Sequence, residues 1–157
     1  MRRSTLWSVV VPVVFLITSG CVTNPVGPVT TVDGYREKAA ASIDVALGSV
    51  ETVRLVGEAE VEDKTFTSFT RQVVDDALGP MRTAEDTFET IAPPDDEARA
   101  LQREVLDALV LSRRALVVMA TALDEGDPDA IARAVAAIRP QADALRTLRE
   151  KLGSRSP

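Results

Sequence analysis

Residues 101–131 read LQREVLDALVLSRRALVVMATALDEGDPDAI and contain both of the signals that decide the fold. The first signal is a stripe of mostly apolar residues at three- and four-residue steps, which places them on one face of an α-helix. This stripe consists of Leu101, Val105, Leu109, Ser112, Leu116, Met119 and Leu123. The second signal is the turn that follows, where Gly126 suits a left-handed helix end, Asp127 an N-cap and Pro128 the first turn of another helix.

The same spacing recurs in three other segments, so the chain is predicted to be all-α. A first helix is predicted over about 33–60, a second over about 65–91, and a fourth after Pro128. Their stripes are Tyr35, Ala39, Ile43, Ala46, Leu47, Val50 and Val53; then Phe66, Phe69, Val73, Ala77, Met81, Ala84, Phe88 and Ile91; then Ile131, Val135, Ile138, Ala142, Leu145, Leu148 and Leu152. The tyrosine and the three phenylalanines are predicted to lie in the core.

Short connections between the helices make sequential neighbours antiparallel. Pro93 and Pro94 end the second helix, and the acidic residues 95–97 suit the positive end of the next helix dipole. We therefore predict an up-down-up-down four-helix bundle over residues 33–153, followed by a disordered tail at 154–157. Because the chain has a single cysteine, packing rather than an internal disulfide must hold this fold.

The first 21 residues have the parts of a secretory signal peptide. A cationic start at residues 1–3 precedes an apolar stretch at 6–17, and small residues then lead to Cys21. The segment resembles a bacterial lipoprotein signal, with Ser19, Gly20 and Cys21 matching the lipobox and Thr18 standing where an aliphatic residue is usual. The resemblance implies that residues 1–20 are removed and that Cys21 carries a covalent lipid.

Two alternatives for this segment are a soluble secreted protein and an uncleaved anchor. About 12 apolar residues span roughly 18 Å as a helix, well short of the ~30 Å hydrocarbon core. The lipoprotein resemblance instead implies a chain held at the extracytoplasmic face of the cell membrane. Residues 21–32 are predicted to be a flexible tether, in which the stretch 22–31, with two prolines and a glycine, would extend over at most ~35 Å.

The charge of the chain excludes one class of partner. Removing residues 1–20 takes away two of 18 basic residues and none of 24 acidic ones, which leaves 16 − 24 = −8. An acidic chain repels phosphate backbones, so nucleic acid is not an expected partner.

Acidic residues gather in the first and third connections, which lie at the same end of the predicted bundle. They are Glu58, Glu60, Glu62, Asp63, Asp124, Glu125, Asp127 and Asp129. Their spacing matches no calcium loop, because the glycine does not lie inside an Asp-x-Asp-x-Asp-Gly frame. Caps and solvated acids explain the same residues, and no metal site is predicted.

The middle of the bundle provides a candidate ligand site. Counting residues from the connections places Arg113 and Arg114 level with Asp75 and Asp76 on the second helix and with Arg139 on the fourth. Pro80 and Pro140 interrupt those two helices near the same level and could open a polar cavity there. The alternative is that these charges flank the apolar stripes and form exposed ion pairs.

Enzyme classes lack their essential groups in this chain. The absence of histidine removes Ser-His and Cys-His nucleophile activation and the Glu-x-x-His ligands of di-iron bundles. The chain is therefore not expected to be an enzyme or to hold a cofactor beyond the lipid on Cys21. Two functions remain: a membrane-anchored interaction or structural module that binds another envelope protein, and a lipoprotein that binds or senses a small ligand in the mid-bundle cavity.

Overall fold

The computed structural model describes residues 31–154, and these form four α-helices in an up-down-up-down bundle. The helices are α1 (Val32–Val61), α2 (Thr67–Glu89), α3 (Asp96–Glu125) and α4 (Pro128–Gly153). The predicted fold is thereby confirmed. The signal peptide, Cys21 and the end of the tail lie outside the described residues, as does the tether up to residue 30.

Three of the helices begin at a side-chain cap. The Thr31 hydroxyl accepts from the Gly34 amide at 3.1 Å, and Asp95 and Asp127 cap α3 and α4 in the same way. Gly126 ends α3 with φ 67°, a left-handed conformation that glycine adopts without a steric penalty. The predicted turn between α3 and α4 is therefore present, and it makes those helices antiparallel.

The inward face of α1 is built largely from small residues. Its buried members are Tyr35, Ala39, Ile43, Ala46, Ser49, Val50, Val53 and Gly57. Because small side chains let helix axes approach closely, α1 packs beside α2 and α4 and also contacts α3 across the bundle. Within the described residues no Cα atom of α2 lies within 8 Å of one in α4, so α1 and α3 form the short diagonal.

Gly57 is the closest point of this packing. A Cβ atom built there would lie 2.8 Å from Cγ2 of Val135 on α4 and 3.1 Å from Cε of Met119 on α3. Any larger residue at this position would therefore force the side chains of Val135 and Met119 to shift.

The start of the α2 stripe was predicted incorrectly. Phe66 and Phe69 are 81% and 57% exposed, and Thr70 and Val74 are buried in their place. The predicted series takes three consecutive steps of four residues, from 69 to 81. Each step overshoots a helical turn by about 40°, so the series drifts around the helix and its first members leave the buried face. Thr70 can be buried because its hydroxyl donates to the Glu60 carboxylate at 2.7 Å.

The two internal prolines do not open the core. Both α2 and α4 continue through them, and Pro80 and Pro140 are exposed on the outer faces of their helices. The carbonyl oxygens that lose a helical donor belong to exposed residues, where water can donate instead. On the inner side, Met81 and Ile138 next to the prolines are fully buried.

Among residues 31–154, no helix combines the length and the apolar character that crossing a membrane requires.

We predict opposite effects for two glycine-to-alanine changes on α1. Gly57→Ala gains about 1 kcal/mol of helix propensity but overpacks the core at a cost of about 1–3 kcal/mol, so we expect a net loss of about 1 kcal/mol. Gly48→Ala, where no atom lies within 4 Å of the new Cβ, should gain about 1 kcal/mol. Urea unfolding of both variants measures the difference, and an equal gain in both would contradict the close approach at Gly57.

Candidate functional site

The predicted ligand cluster of Arg113, Arg114, Asp75, Asp76 and Arg139 is not assembled in the structure. No hydrogen bond or ion pair joins any two of these five residues within the described chain. Arg113 instead donates from Nε to Glu85 on α2 at 2.6 Å, and this hydrogen bond raises the pKa of Arg113. Glu85 lies ten residues beyond Asp75, about 15 Å further along α2.

The register between α2 and α3 explains this displacement. The Gln102 amide donates to the Ile91 carbonyl at 3.2 Å, and the Arg71 guanidinium donates to the Leu123 carbonyl at 2.6 Å. These contacts at both ends of the helix pair place Arg113 opposite residues 81–85 of α2. Counting from the connection placed it opposite residues 75 and 76, which was wrong by about two helical turns.

The other members of the cluster are dispersed over the surface. Asp76 accepts from the Gln72 amide at 2.8 Å, while Asp75 and Arg114 are exposed without an interaction of this kind. Arg139 bonds Glu58 on α1 at 2.9 Å. The alternative of separate ion pairs therefore describes Arg113 and Arg139. Ligand binding by the five residues stays a prediction, because Arg139 and Asp76 line two different open clefts, of about 450 and 510 Å³, and no described cleft brings the five together.

Arg139 belongs to a series of ion pairs along the α1–α4 interface. The pairs are Arg139 with Glu58, Arg146 with Glu51 and Arg149 with Asp44, at 2.9, 2.5 and 2.5 Å. Arg54 on α1 connects the first two pairs by bonding both glutamates. The hydrogen bonds from Arg139 and then Arg54 lower the pKa of Glu58. The acidic residues on this side of α1 are therefore neutralised within the chain.

The acidic end of the bundle uses its carboxylates separately. Glu58 is paired as above, Asp124 pairs with Arg71, and Asp127 caps α4. Among residues 31–154, no three His, Cys, Asp or Glu side chains are grouped to hold a metal ion. The acids at this end act as caps and ion-pair partners.

The connection between α1 and α2 departs from local stability preferences at two positions. Asp63 has φ 55°, the left-handed conformation that favours glycine, and it ends α1 with a bond from the Lys64 amide to the Ala59 carbonyl. Phe66 occupies the N-cap of α2 and makes no side-chain cap bond. The start of α2 is held instead by Glu60, whose carboxylate accepts from the hydroxyls of Thr67 and Thr70 at 2.5 and 2.7 Å.

Exposed apolar side chains surround this connection. We define the distal patch as Val61, Phe66 and Phe69, all of which are exposed at the end of the bundle remote from Val32. Sequence periodicity missed this surface because it assigned both phenylalanines to the core. The signal that could have located it is the position of Phe66 directly before a helix, where a capping residue is expected.

Two buried hydroxyl groups have no hydrogen-bond partner among the described residues, Tyr35 Oη and Ser112 Oγ. Tyr35 is fully buried and its ring lies 5.4 Å from that of Phe88, centroid to centroid. Burial raises the pKa of Tyr35 to about 12. A cleft at the Val32 end of the bundle, lined among others by Val32, Leu101 and Leu152, does not include Tyr35 or Ser112, and its volume of about 160 Å³ is below the ~300 Å³ at which ligand pockets begin.

Comparisons of this chain with protein-family models, curated proteins and solved structures found no match.

We predict that Tyr35→Phe stabilises the bundle by about 1 kcal/mol, because it removes a buried hydroxyl without a partner.

We predict a second effect of Tyr35→Phe, on the pH dependence of stability. The folded-state pKa lies above the unfolded value of 10, so the unfolded chain ionises first and the parent protein loses stability as the pH rises from 10 towards 12. The Phe variant should lack this part of the alkaline loss in urea unfolding at pH 8 and pH 11, and identical pH profiles would contradict the assignment.

Proposed function

We propose that the protein is a lipoprotein anchored through Cys21 at the extracytoplasmic face of the cell membrane, and that its bundle is a non-catalytic interaction module of the envelope. The resemblance of residues 1–21 to a lipoprotein signal supports the anchor. The distal patch supports the interaction role, and it is the observation on which this proposal depends.

Topology favours presentation of the patch away from the membrane. Because α1 starts at Val32, next to the proposed tether, the anchored end of the bundle is the end where α1 begins. The patch lies at the other end of a 30-residue helix, about 45 Å away. The patch and the α3–α4 turn therefore lie at the end of the domain that is remote from the proposed anchor.

The composition of the patch favours a protein partner. Exposed aromatic residues are typical binding anchors. Glu62 in the same connection is already paired with Lys64 at 2.6 Å, so the complementary surface is first of all an apolar pocket that receives the aromatic rings. Phe66 also gives up an N-cap hydrogen bond worth about 1 kcal/mol, and a residue kept against local stability is typical of a functional surface.

The alternative of a small-ligand sensor has less support. Its five predicted residues are dispersed, and the level of the bundle that it required is packed with buried apolar side chains.

The anchor is tested by metabolic labelling with a fatty acid. We expect the parent chain to take up the label and to sediment with membranes, and Cys21→Ser to do neither, because two or more acyl chains make membrane attachment effectively permanent. A matched control is Ser19→Ala, which keeps the thiol and a small residue before the cleavage site. Equal sedimentation of the parent and Cys21→Ser, with no label in either, would overturn the anchoring proposal.

The docking role of the patch is tested by placing a photo-crosslinking phenylalanine analogue at position 69 in cells. We expect a discrete adduct with one envelope protein, and we expect Phe66→Ser in the same chain to remove that adduct. The serine should at the same time raise the unfolding free energy by about 1 kcal/mol, since it supplies the missing cap.

The control places the same analogue at Leu111 on α3, whose exposure of 51% is close to that of Phe69. An adduct that survives Phe66→Ser, or that forms equally from position 111, would contradict docking through the patch. Because Phe66→Ser is expected to stabilise the fold, loss of the adduct cannot be attributed to unfolding.

A further inference from the structure

The first half of α2, residues 67–79, could turn either of two faces towards the core. The face that is buried in the structure contains Thr70 and Val74, whereas the other face contains Phe69 and Val73. Each face has one valine, so the two differ mainly in whether a threonine or a phenylalanine is buried. Burial of apolar area alone favours the phenylalanine, yet Thr70 is fully buried and Phe69 is 57% exposed. A further interaction must therefore hold the observed face inward.

Glu60, in the last turn of α1, supplies that interaction. One oxygen of its carboxylate accepts a hydrogen bond from the Thr67 hydroxyl at 2.5 Å, and the other accepts from the Thr70 hydroxyl at 2.7 Å. The two threonines are three residues apart, so they lie on the same side of α2. Hydrogen bonds to an ionised acceptor are stronger than those between neutral groups. One carboxylate that holds both hydroxyls therefore fixes the rotation of α2 about its own axis.

Thr70 has no good alternative acceptor within its own helix. Four other helical threonines donate to the carbonyl four residues before them, namely Thr52, Thr83, Thr121 and Thr147. For Thr70 that carbonyl belongs to Phe66, and it already accepts the amides of Phe69 and Thr70 at 2.8 and 3.0 Å. Because a carbonyl oxygen has two lone pairs, it does not readily accept a third donor. Without Glu60 the buried hydroxyl would have no partner, which is unfavourable in a core.

The first half of α2 is joined only weakly to the second half. Pro80 has no amide hydrogen, so the Asp76 carbonyl lacks the donor that it would have in an uninterrupted helix. Gly79 precedes the proline, and a Cβ atom built there would meet nothing within 4 Å. Arg71 sets the register of α2 along α3, but it does so through a long side chain that can follow a rotation. The first half can therefore turn with little displacement of the second half.

We propose that Glu60 is a positioning residue of the distal patch. By holding Thr67 and Thr70, it keeps Phe69 on the surface beside Phe66, where a partner can reach both rings. Adjacent residues lie about 100° apart around a helix. Without the carboxylate, the first half of α2 turns through part of this angle, so that Thr70 moves towards solvent and Phe69 enters the core. The use of the patch for binding rests on the proposed function, whereas the orientation of α2 does not.

The experiment measures the exposure of position 69 in the full chain, purified in detergent. Phe69→Trp supplies the probe, and Trp7→Phe makes it the only indole in the chain. We expect Glu60→Ala to lower the acrylamide quenching constant at least about threefold, because a side chain that is 57% exposed enters the core. Adding Thr70→Val to Glu60→Ala should restore the starting constant, because valine has no hydroxyl that needs a partner and can stay buried.

The matched control is Glu62→Ala in the same probe chain. Glu62 lies in the same connection, but among the described residues its carboxylate pairs with the exposed Lys64 and not with α2. We therefore expect this change to leave the quenching constant as it was. Far-ultraviolet circular dichroism should show the same helix content in every variant, since the bundle stays folded while the first half of α2 turns.

Three outcomes would overturn the proposal. The first is a quenching constant that Glu60→Ala does not lower. The second is a decrease that Thr70→Val does not reverse, or that Glu62→Ala also produces. The third is loss of helical circular dichroism in Glu60→Ala, because the chain would then unfold instead of turning. None of these measurements involves a partner, so failure of the crosslinking test in cells would leave them unaffected, and their failure would not count against the anchor or the docking role.

Discussion

The close approach of α1 to α3 is the constraint on which the rest of the bundle depends. Small residues on the inner face of α1, and above all Gly57, let this helix contact the other three at once. The same close approach leaves α2 and α4 further apart, on the long diagonal of the bundle. The prolines lie on those two helices, α2 and α4, which do not have to pack against each other.

Most of the fold could be predicted because helical periodicity and helix-end chemistry are local properties. Every member of the predicted α4 stripe is buried, and Gly126, Asp127 and Pro128 form the turn that their residue types indicate. The start of α2 could not be predicted in this way. Thr70 can be buried because its hydroxyl donates a hydrogen bond to Glu60 of α1, and no pattern within α2 contains that information.

The candidate sites were harder to predict because they depend on register between helices. A connection of a few residues determines the direction of the next helix. It does not determine the register of that helix along its neighbour, which depends on side-chain contacts. Arg113 lies opposite Glu85 rather than Asp75 because contacts at both ends of the α2–α3 pair set that position. The acidic residues of α1 likewise pair with arginines of α4, at positions 44, 51 and 58, and this pairing also depends on the register between the two helices.

The rules for stable helix ends are broken mainly in one part of the chain, the α1–α2 connection. Buried positions of α1, α3 and α4 follow their apolar stripes, and three of the four helix starts are capped. The α1–α2 connection instead has an aspartate in a left-handed conformation and an exposed phenylalanine where a cap would be more stable. Both departures raise the free energy of the folded chain relative to a simple glycine and serine. Both departures lie beside the distal patch, so the part of the chain that is least optimised for stability is the part to which the interaction role is proposed.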